Sequence, residues 1–491
     1  MSKRSARWIV GGGFLATTSA LALLAGGANA QSCGTLVSGK VMPQGGGFTI
    51  NAPLIYSDVF TATGTLTQAS GFNVSATSQL FSASVLTDPN NPKALDVELV
   101  EHVNATNTGL TQNEFNTLVA LTNLSSPGAQ SLASFVIALP LNQEKAALDQ
   151  LSGENLTRTI DLLLSRPQTY VYTLEERLLD GSLFADAGTS LGIAGIPLQL
   201  AVAGNSVAGP SSERGGFWVR GFGVQTNASP TLNGAPFNDA REGVLGGVDW
   251  RFDDAWTLGF AGAYSNDAVN FSDGSNSSFN SYDVLAYGGW RDGSVYLTGI
   301  GGASFSDIST TRSLALSSLP SANGSFSGQT YTAYGEGGYV MMPWGGVRLT
   351  PYLGLRYTHA HTDAFTETGG AIGPLSVSAV SGDSLVSTVA ARLALPVDVA
   401  GFGTVVPEVR AGWQHEFLDI GHSINAAFAA TPTPGSPFLI TGATVGRDSA
   451  LVGVGLTHDL NADTRFFLDY DGLITGGIAQ HAFSAGLRVK F

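Results

Sequence analysis

The run Val405-Val406-Pro407-Glu408-Val409-Arg410-Ala411-Gly412-Trp413-Gln414-His415-Glu416-Phe417 alternates without a break. Side chains of an extended chain point to opposite sides in turn, so Val405, Pro407, Val409, Ala411, Trp413, His415 and Phe417 share one face. Glu408, Arg410, Gly412, Gln414 and Glu416 share the other. A soluble sandwich would turn the charged face to water, whereas a transmembrane barrel turns its oily face to lipid and its polar face to the lumen. Comparable runs occur near 216–227, 241–252, 255–266, 279–291, 294–305, 326–342, 346–360, 384–396, 404–418, 447–460, 464–473 and 479–491. That is twelve strands, an even number. Most have ten or more residues, which suits a tilted membrane-spanning strand of about 9–11 better than a globular strand of about 5–6.

The joins sort by side. Asp253-Asp254, Asp292-Gly293, Pro343-Trp344-Gly345 and Asn461-Ala462-Asp463 make tight turns, and 397–403 a short link. Residues 228–240, 306–325, 361–383 and 419–446 are rich in Ser, Thr, Asn, Gly and Pro and read as long solvated loops. Short turns at one end and long loops at the other are the asymmetry of an outer-membrane barrel. Trp250, Trp256, Trp290, Trp344 and Trp413, near strand ends, suit interfacial girdles.

Composition agrees. The 491 residues carry 23 Lys+Arg against 38 Asp+Glu, a net charge of −15, so there is no concentrated basic surface for nucleic acid. With 12% charged residues and a mean hydropathy of +0.15 the chain is too apolar to be disordered. One Cys excludes disulfide frameworks and multi-Cys metal sites. At the start, Lys3, Arg4 and Arg7 precede an uncharged stretch, and Ala28-Asn29-Ala30 before Gln31 has the A-x-A form of a signal cleavage site. Losing those three cations takes the charge from −15 to −18.

The last strand sets His481, Phe483, Ala485, Leu487, Val489 and Phe491 against Ser484, Gly486, Arg488 and Lys490. It resembles the terminal strand of bacterial outer-membrane proteins, in which Phe483, Leu487, Val489 and Phe491 would form the assembly signal. Further matches are Phe217-Trp218-Val219-Arg220-Gly221-Phe222-Gly223, Gly246-Gly247-Val248-Asp249-Trp250, Tyr282 to Trp290, and Glu336-Gly337-Gly338-Tyr339. Together they resemble the translocator of classical monomeric autotransporters, the type Va secretion proteins. Ala147 to Glu154 is similar to the LSGE segment found before that family's barrel. The resemblance covers roughly 140–491.

It implies a mainly β protein: a signal peptide at 1–30, a short passenger at 31–145, a helical segment and linker at 146–213, and a 12-stranded antiparallel transmembrane barrel at 214–491. The location implied is the outer membrane of a Gram-negative bacterium, with the passenger at the cell surface. The implied partners are outer-membrane lipid, the Sec translocon and the barrel assembly machinery, with an extracellular ligand unidentified and no cofactor. A helix, about 10–12 Å wide with its side chains, would fill a pore of twelve strands. The helical candidate is Glu154 to Asp180, with Pro167 opening a second helix. Its Glu154, Arg158, Asp161, Arg166, Glu175 and Arg177 would pair with lumen charges such as Arg348, Arg356, Glu408, Arg410, Arg488 or Lys490. Competing readings are a helix packed within the passenger's own cap, a plug formed by 181–213, and lumen charges that are simply solvated.

The front is β-rich from Val37 to Leu86, and Thr111-Gln112-Asn113-Glu114 has the form of a capping box opening a helix through Leu121. An apolar segment at Gln130–Leu139 follows, and Leu141–Leu151 reads as a helix. Typical passengers of the family are long β-helices, and this shorter front fits the truncated end of one with its helical cap. Two catalytic patterns need weighing. Gly382-Asp383-Ser384-Leu385 spells the GDSL esterase motif, and Asp419-Ile420-Gly421-His422 has its D-x-x-H spacing, yet both lie in barrel strands or loops without the intervening oxyanion-hole blocks. His359 and His361 share a strand face, but a structural metal site wants four ligands. Neither is taken as a site, and the chain is read as a non-enzyme. The alternatives to display of an adhesive or other surface passenger are a porin-like or adhesive barrel with a non-exported front and, remotely, a GDSL-type esterase.

Overall fold

Along β1, Gly215–Ala228, Trp218, Arg220, Phe222 and Val224 are buried while Phe217 and Val219 are about half exposed. Charge inside and hydrocarbon outside is the inverse of a soluble sheet and fits a strand with lipid behind it. The same inversion runs through β2 (Phe237–Arg251), β3 (Trp256–Phe271), β4 (Asn276–Asp292), β5 (Val295–Arg312), β6 (Ala322–Tyr339), β7 (Val347–Thr362), β8 (Val380–Ala394), β9 (Gly403–Glu416), β10 (Asp448–Asp459), β11 (Thr464–Thr475) and β12 (Ile478–Lys490). In β9, Arg410 and Gln414 point inward and Val409 and Trp413 outward.

This computed structural model describes residues 21–25, 54–61, 72–76, 81–87, 90, 94–101, 105–106, 108–183 and 215–491, apart from 254, 345, 401–402, 430–434, 462 and 491. The cleavage residues Ala28, Ala30 and Gln31, the linker beyond Leu183 and Phe491 lie outside the described residues.

Each long strand pairs antiparallel with its sequence neighbour. The sheet closes where β12 meets β1, from Ile478 opposite Ala228 to Lys490 opposite Gly216. The short pieces Met341–Trp344 and Val397–Val399 extend it at the tight-turn end. Closure leaves no unpaired edge, the condition for backbone in a membrane. At this seam Gly486 is tightly packed: a Cβ there would lie 2.4 Å from the Val219 carbonyl oxygen and 2.4 Å from the Phe467 ring. Gly486→Val should therefore cost a large part of the folded, heat-modifiable barrel seen on gels. Gly221→Ala, with open space at its Cβ, should cost little, and equal yields would refute the seam argument.

The strands run further than their apolar pattern suggests. β5 reaches Arg312 and β6 begins at Ala322, so much of the expected loop 306–325 is sheet. The joins 361–383 and 419–446 are not simply solvated either. They contribute Phe365–Thr366, Leu375–Val377, Ser423–Phe428 and Phe438–Thr441 to a second, four-stranded sheet standing beyond the strand ends.

Three helices pack on that sheet: α1 (Gln112–Thr122), α2 (Pro127–Ile137) and α3 (Leu141–Ser152). Thr111 and Glu114 form the reciprocal capping box at the start of α1. Leu118, Leu121, Leu148 and Leu151 share one buried core with Leu375, Ile424, Phe428 and Ile440 of the loop strands. The Asn113 amide both donates to the Thr441 carbonyl and accepts from its N–H, each at 2.8 Å, so α1 extends the bonding of the loop sheet's edge. The expected division at 145/146 falls inside α3, whose Ala147, Leu148 and Leu151 belong to this core.

Gly153 ends α3 at φ +72°, and a Cβ there would press on Leu375 at 2.8 Å. A glycine satisfies both the left-handed cap and the close approach. After a 3-10 turn at Glu154–Thr157 come α4 (Arg158–Ser165) and α5 (Pro167–Leu183). In the front region, Leu54–Thr61, Ala94–Glu101 and Phe81–Thr87 form a three-stranded antiparallel sheet, and Leu21–Ala25 pairs with Phe72–Ala76.

Candidate functional site

Helix α5 lies inside the barrel. Its 17 residues span about 25 Å at 1.5 Å per residue, the height of the apolar band of such a barrel. Just ahead of it, Arg166 binds Asp267 in the long-join half of β3 at 2.5 Å and donates to Ser265 at 2.9 Å. Further along, Arg177 pairs with Asp249 near the tight-turn end of β2. The helix therefore descends from the long joins towards the tight turns.

Between these points the charges interlock. Arg392 of β8 donates to Glu175 at 2.8 Å, to Glu336 of β6 at 2.9 Å and to the Tyr296 hydroxyl at 3.0 Å, with its guanidinium 3.9 Å over the Tyr352 ring. Glu176 is held by Arg220 of β1 and Arg410 of β9, which in turn reach Asp469 at 3.0 Å and Asp471 at 2.8 Å on β11. Arg356 donates to Gln168. Among the candidate lumen residues, Arg348 is buried, Glu408 lies 3.9 Å from Arg410, and Arg488 lies 3.9 Å from Asp249. Lys490 is half-buried near the tight-turn end of β12. On the outward face of β12, Phe483 and Leu487 are exposed and Val489 is half-buried.

Sequence reasoning passed over Arg220, Arg392, Glu336, Asp249, Asp267, Asp469 and Asp471. A usable signal was present, since each is a charged residue on the inward register of a strand it shares with outward apolar side chains. Asp469 and Asp471 even form an i, i+2 pair. What the one-dimensional pattern lacks is the stagger that sets which charge meets which.

Glu154, Arg158 and Asp161 belong instead to the mouth, where α3 meets α4. Asp161 holds His422 Nδ1 at 2.8 Å and lies 3.7 Å from Arg158. Asn155 donates to Asp273 at 2.8 Å, Gln150 accepts from the Leu316 N–H at 3.1 Å, and Arg312 donates to the Gln150 carbonyl at 2.7 Å. The cap is thus tied to several joins by hydrogen bonds as well as by its core. Beyond the strand ends, burial pushes the Glu154 carboxyl up to about 7, with Glu114 and Asp273 adding to the rise and Asn113 and Arg158 opposing it. Burial, then Glu154 and Glu114, push Asp149 up to about 8, against the pull of Lys145.

A carboxyl raised above its unfolded value of about 4 holds its proton more tightly in the folded state. Its stabilising effect is complete below about pH 4 and is lost as pH rises through 7 to 8. Cap docking should accordingly weaken between about pH 5 and pH 8. Glu154→Gln should flatten that slope and restore on the order of 2–3 kcal/mol at pH 8, read as hydrogen-exchange protection of α3 corrected for intrinsic rates. A variant with the wild-type slope would refute the assignment.

The GDSL reading does not assemble. Ser384 Oγ donates to Glu416, and His422 takes its carboxylate from Asp161 of α4 and packs so closely on Gly382 that a Cβ there would lie 2.5 Å from Nε2. His359 and His361 point outward from β7.

Residues 217–471 match the family described as Autotransporter beta-domain. A protein of Serratia marcescens named Extracellular serine protease is 26% identical over 283 residues, 56% of this chain and 26% of that protein. A second of that name is 24% identical over 279 residues, again 56% of this chain and 26% of the relative. The chain spans about a quarter of the length of these curated relatives. Among solved structures, the translocator domain of autotransporter NalP from Neisseria meningitidis is similar at 14% identity, covering 68% of this chain and 99% of that one with a TM-score of 0.49. The transport unit of the autotransporter AIDA-I from Escherichia coli is similar at 15% identity, covering 66% and 99% with a TM-score of 0.44.

Proposed function

The chain belongs to the autotransporter β-domain family, and from that premise we propose that its outer-membrane barrel displays a short front segment on a helical cap that stays docked at the cell surface. Export has left α5 in the lumen as a plug, and residues 31–104 are carried outward on α1 to α3. One observation carries this reading: the chain runs from the lumen, through α4, into a cap whose hydrophobic core is shared with the barrel's own long joins. A released passenger would have no use for such a core. The front segment acts by contact as a surface or adhesive module. The protease name stays with the Serratia proteins, since about three quarters of their length has no counterpart in the alignment.

In this proposal cleavage after Ala30 follows Sec export, the barrel assembly machinery reads Phe483, Leu487, Val489 and Phe491, and the lumen charges hold the plug. The test is topological. Tags placed after Ser32 and within 313–321 should both be reached by antibody and by external protease on intact cells. A reachable join with a hidden N-terminal tag would replace display with a porin-like barrel whose front stays inside.

A further inference from the structure

The outward face of β7 near its external end reads Tyr357, His359, His361, with Asp363 two residues on. Both imidazoles are 36% exposed, and each is fixed through Nδ1 by the residue directly opposite it on β8. His359 Nδ1 lies 2.9 Å from Asp383 Oδ1, which also accepts from the Tyr357 hydroxyl at 2.6 Å. His361 Nδ1 lies 2.8 Å from Ser381 Oγ. With each Nδ1 engaged, Nε2 is the nitrogen left to meet a ligand. His361 Nε2 stands 3.7 Å from Asp363 Oδ1.

We propose that His359 and His361 chelate one divalent transition-metal ion of the Cu2+, Ni2+ or Zn2+ type at the external rim of the barrel, with Asp363 within reach as a third ligand. Imidazole nitrogens suit these metals. A metal-binding histidine characteristically gives its other ring nitrogen to a carboxylate or a comparable partner, which fixes the tautomer and aims the ring. Asp383 and Ser381 do this for the two rings in turn. Residues i and i+2 of a strand lie about 7 Å apart at Cα, so two side chains on one face can converge on an ion about 2.0–2.1 Å from each nitrogen. The 3.7 Å between His361 Nε2 and Asp363 Oδ1 admits an ion about 2.1 Å from each at an angle of roughly 120°, and a small side-chain shift would bring it to tetrahedral. Among the described residues no three such ligands are already gathered around one point, so this is an open site of two imidazoles and not a cage.

His415 provides an internal comparison. It has the same construction, with Nδ1 2.8 Å from Asp448 Oδ1 and Trp413 Nε1 donating to the same oxygen at 3.0 Å, but no second histidine beside it.

The test is titration of the untagged full-length protein in detergent with Cu2+, read by electron paramagnetic resonance, and with Ni2+, read by calorimetry. One equivalent should bind with hyperfine coupling to two nitrogens. His359→Gln and His361→Gln should each weaken binding at least tenfold, Asp383→Asn about tenfold, and His415→Gln should leave it unchanged. All four variants should remain heat-modifiable, because these side chains lie outside the barrel. No saturable binding, or binding that survives the His359→Gln/His361→Gln double variant, would overturn the proposal.

Discussion

Replacing Arg392 by methionine should destabilise the seating of α5 by about 3–5 kcal/mol, the usual cost of removing one partner from a buried ionic network. Arg392, Glu175 and Glu336 have almost no solvent access, and the guanidinium bonds both carboxylates at 2.8–2.9 Å. Without it two buried carboxylates face each other with no cation between them. At about 1.4 kcal/mol per tenfold, the equilibrium between seated and released helix shifts by a factor of about a hundred to a few thousand. Single-channel recording in planar bilayers should show an almost closed wild type and frequent openings in Arg392→Met. The triple variant Arg392→Met/Glu175→Gln/Glu336→Gln should recover much of the closure, because neutralising a whole buried network costs far less than stripping one member from it. Wild-type conductance in the single variant would show that some other contact holds the helix.

The parts that follow from local chemistry were legible in the sequence. A two-residue period with hydrocarbon on one face exposes each strand, and the Thr111 capping box and Pro167 mark helix starts that the structure bears out. The period fades where strands rise above the membrane. There the outward residues, Asp307, Ser309 and Thr311 on β5, need not be apolar, so the stretch reads as loop although it pairs along the strand. The four-stranded sheet over the mouth was hidden for a different reason. Its four pieces have two to six residues each and come from two joins separated by the β8–β9 hairpin, so none of them carries a usable period. The lumen pairs sit between these cases. Alternation gives Arg392 and Glu175 their faces, but their meeting across 217 residues depends on barrel stagger and helix rotation.

Leu148→Asp should detach the cap while leaving the barrel folded. Leu148 has no solvent exposure and lies in the core that joins α1, α2 and α3 to the loop strands. Truncation to alanine at such a position costs about 2–5 kcal/mol. A carboxylate there is worse, because it must be buried unpaired or drag the helix into water. The barrel's own ladders touch this core only at their outer ends, through Ala322 of β6 and Val380 of β8, so the damage should stop at the mouth. Limited proteolysis of the folded protein should then cut between α1 and α3, and in the loop strands Ser423–Phe428 and Phe438–Thr441, while the β-domain stays heat-modifiable. Leu148→Ala should give the same cuts more slowly. The loops matter most in this experiment: cutting confined to the helices would mean that the loop sheet stands without them. Cutting in both would mean that cap and loops fold as one unit, so that a surface segment mounted on the cap is anchored by folding at the mouth as well as by the plug below it.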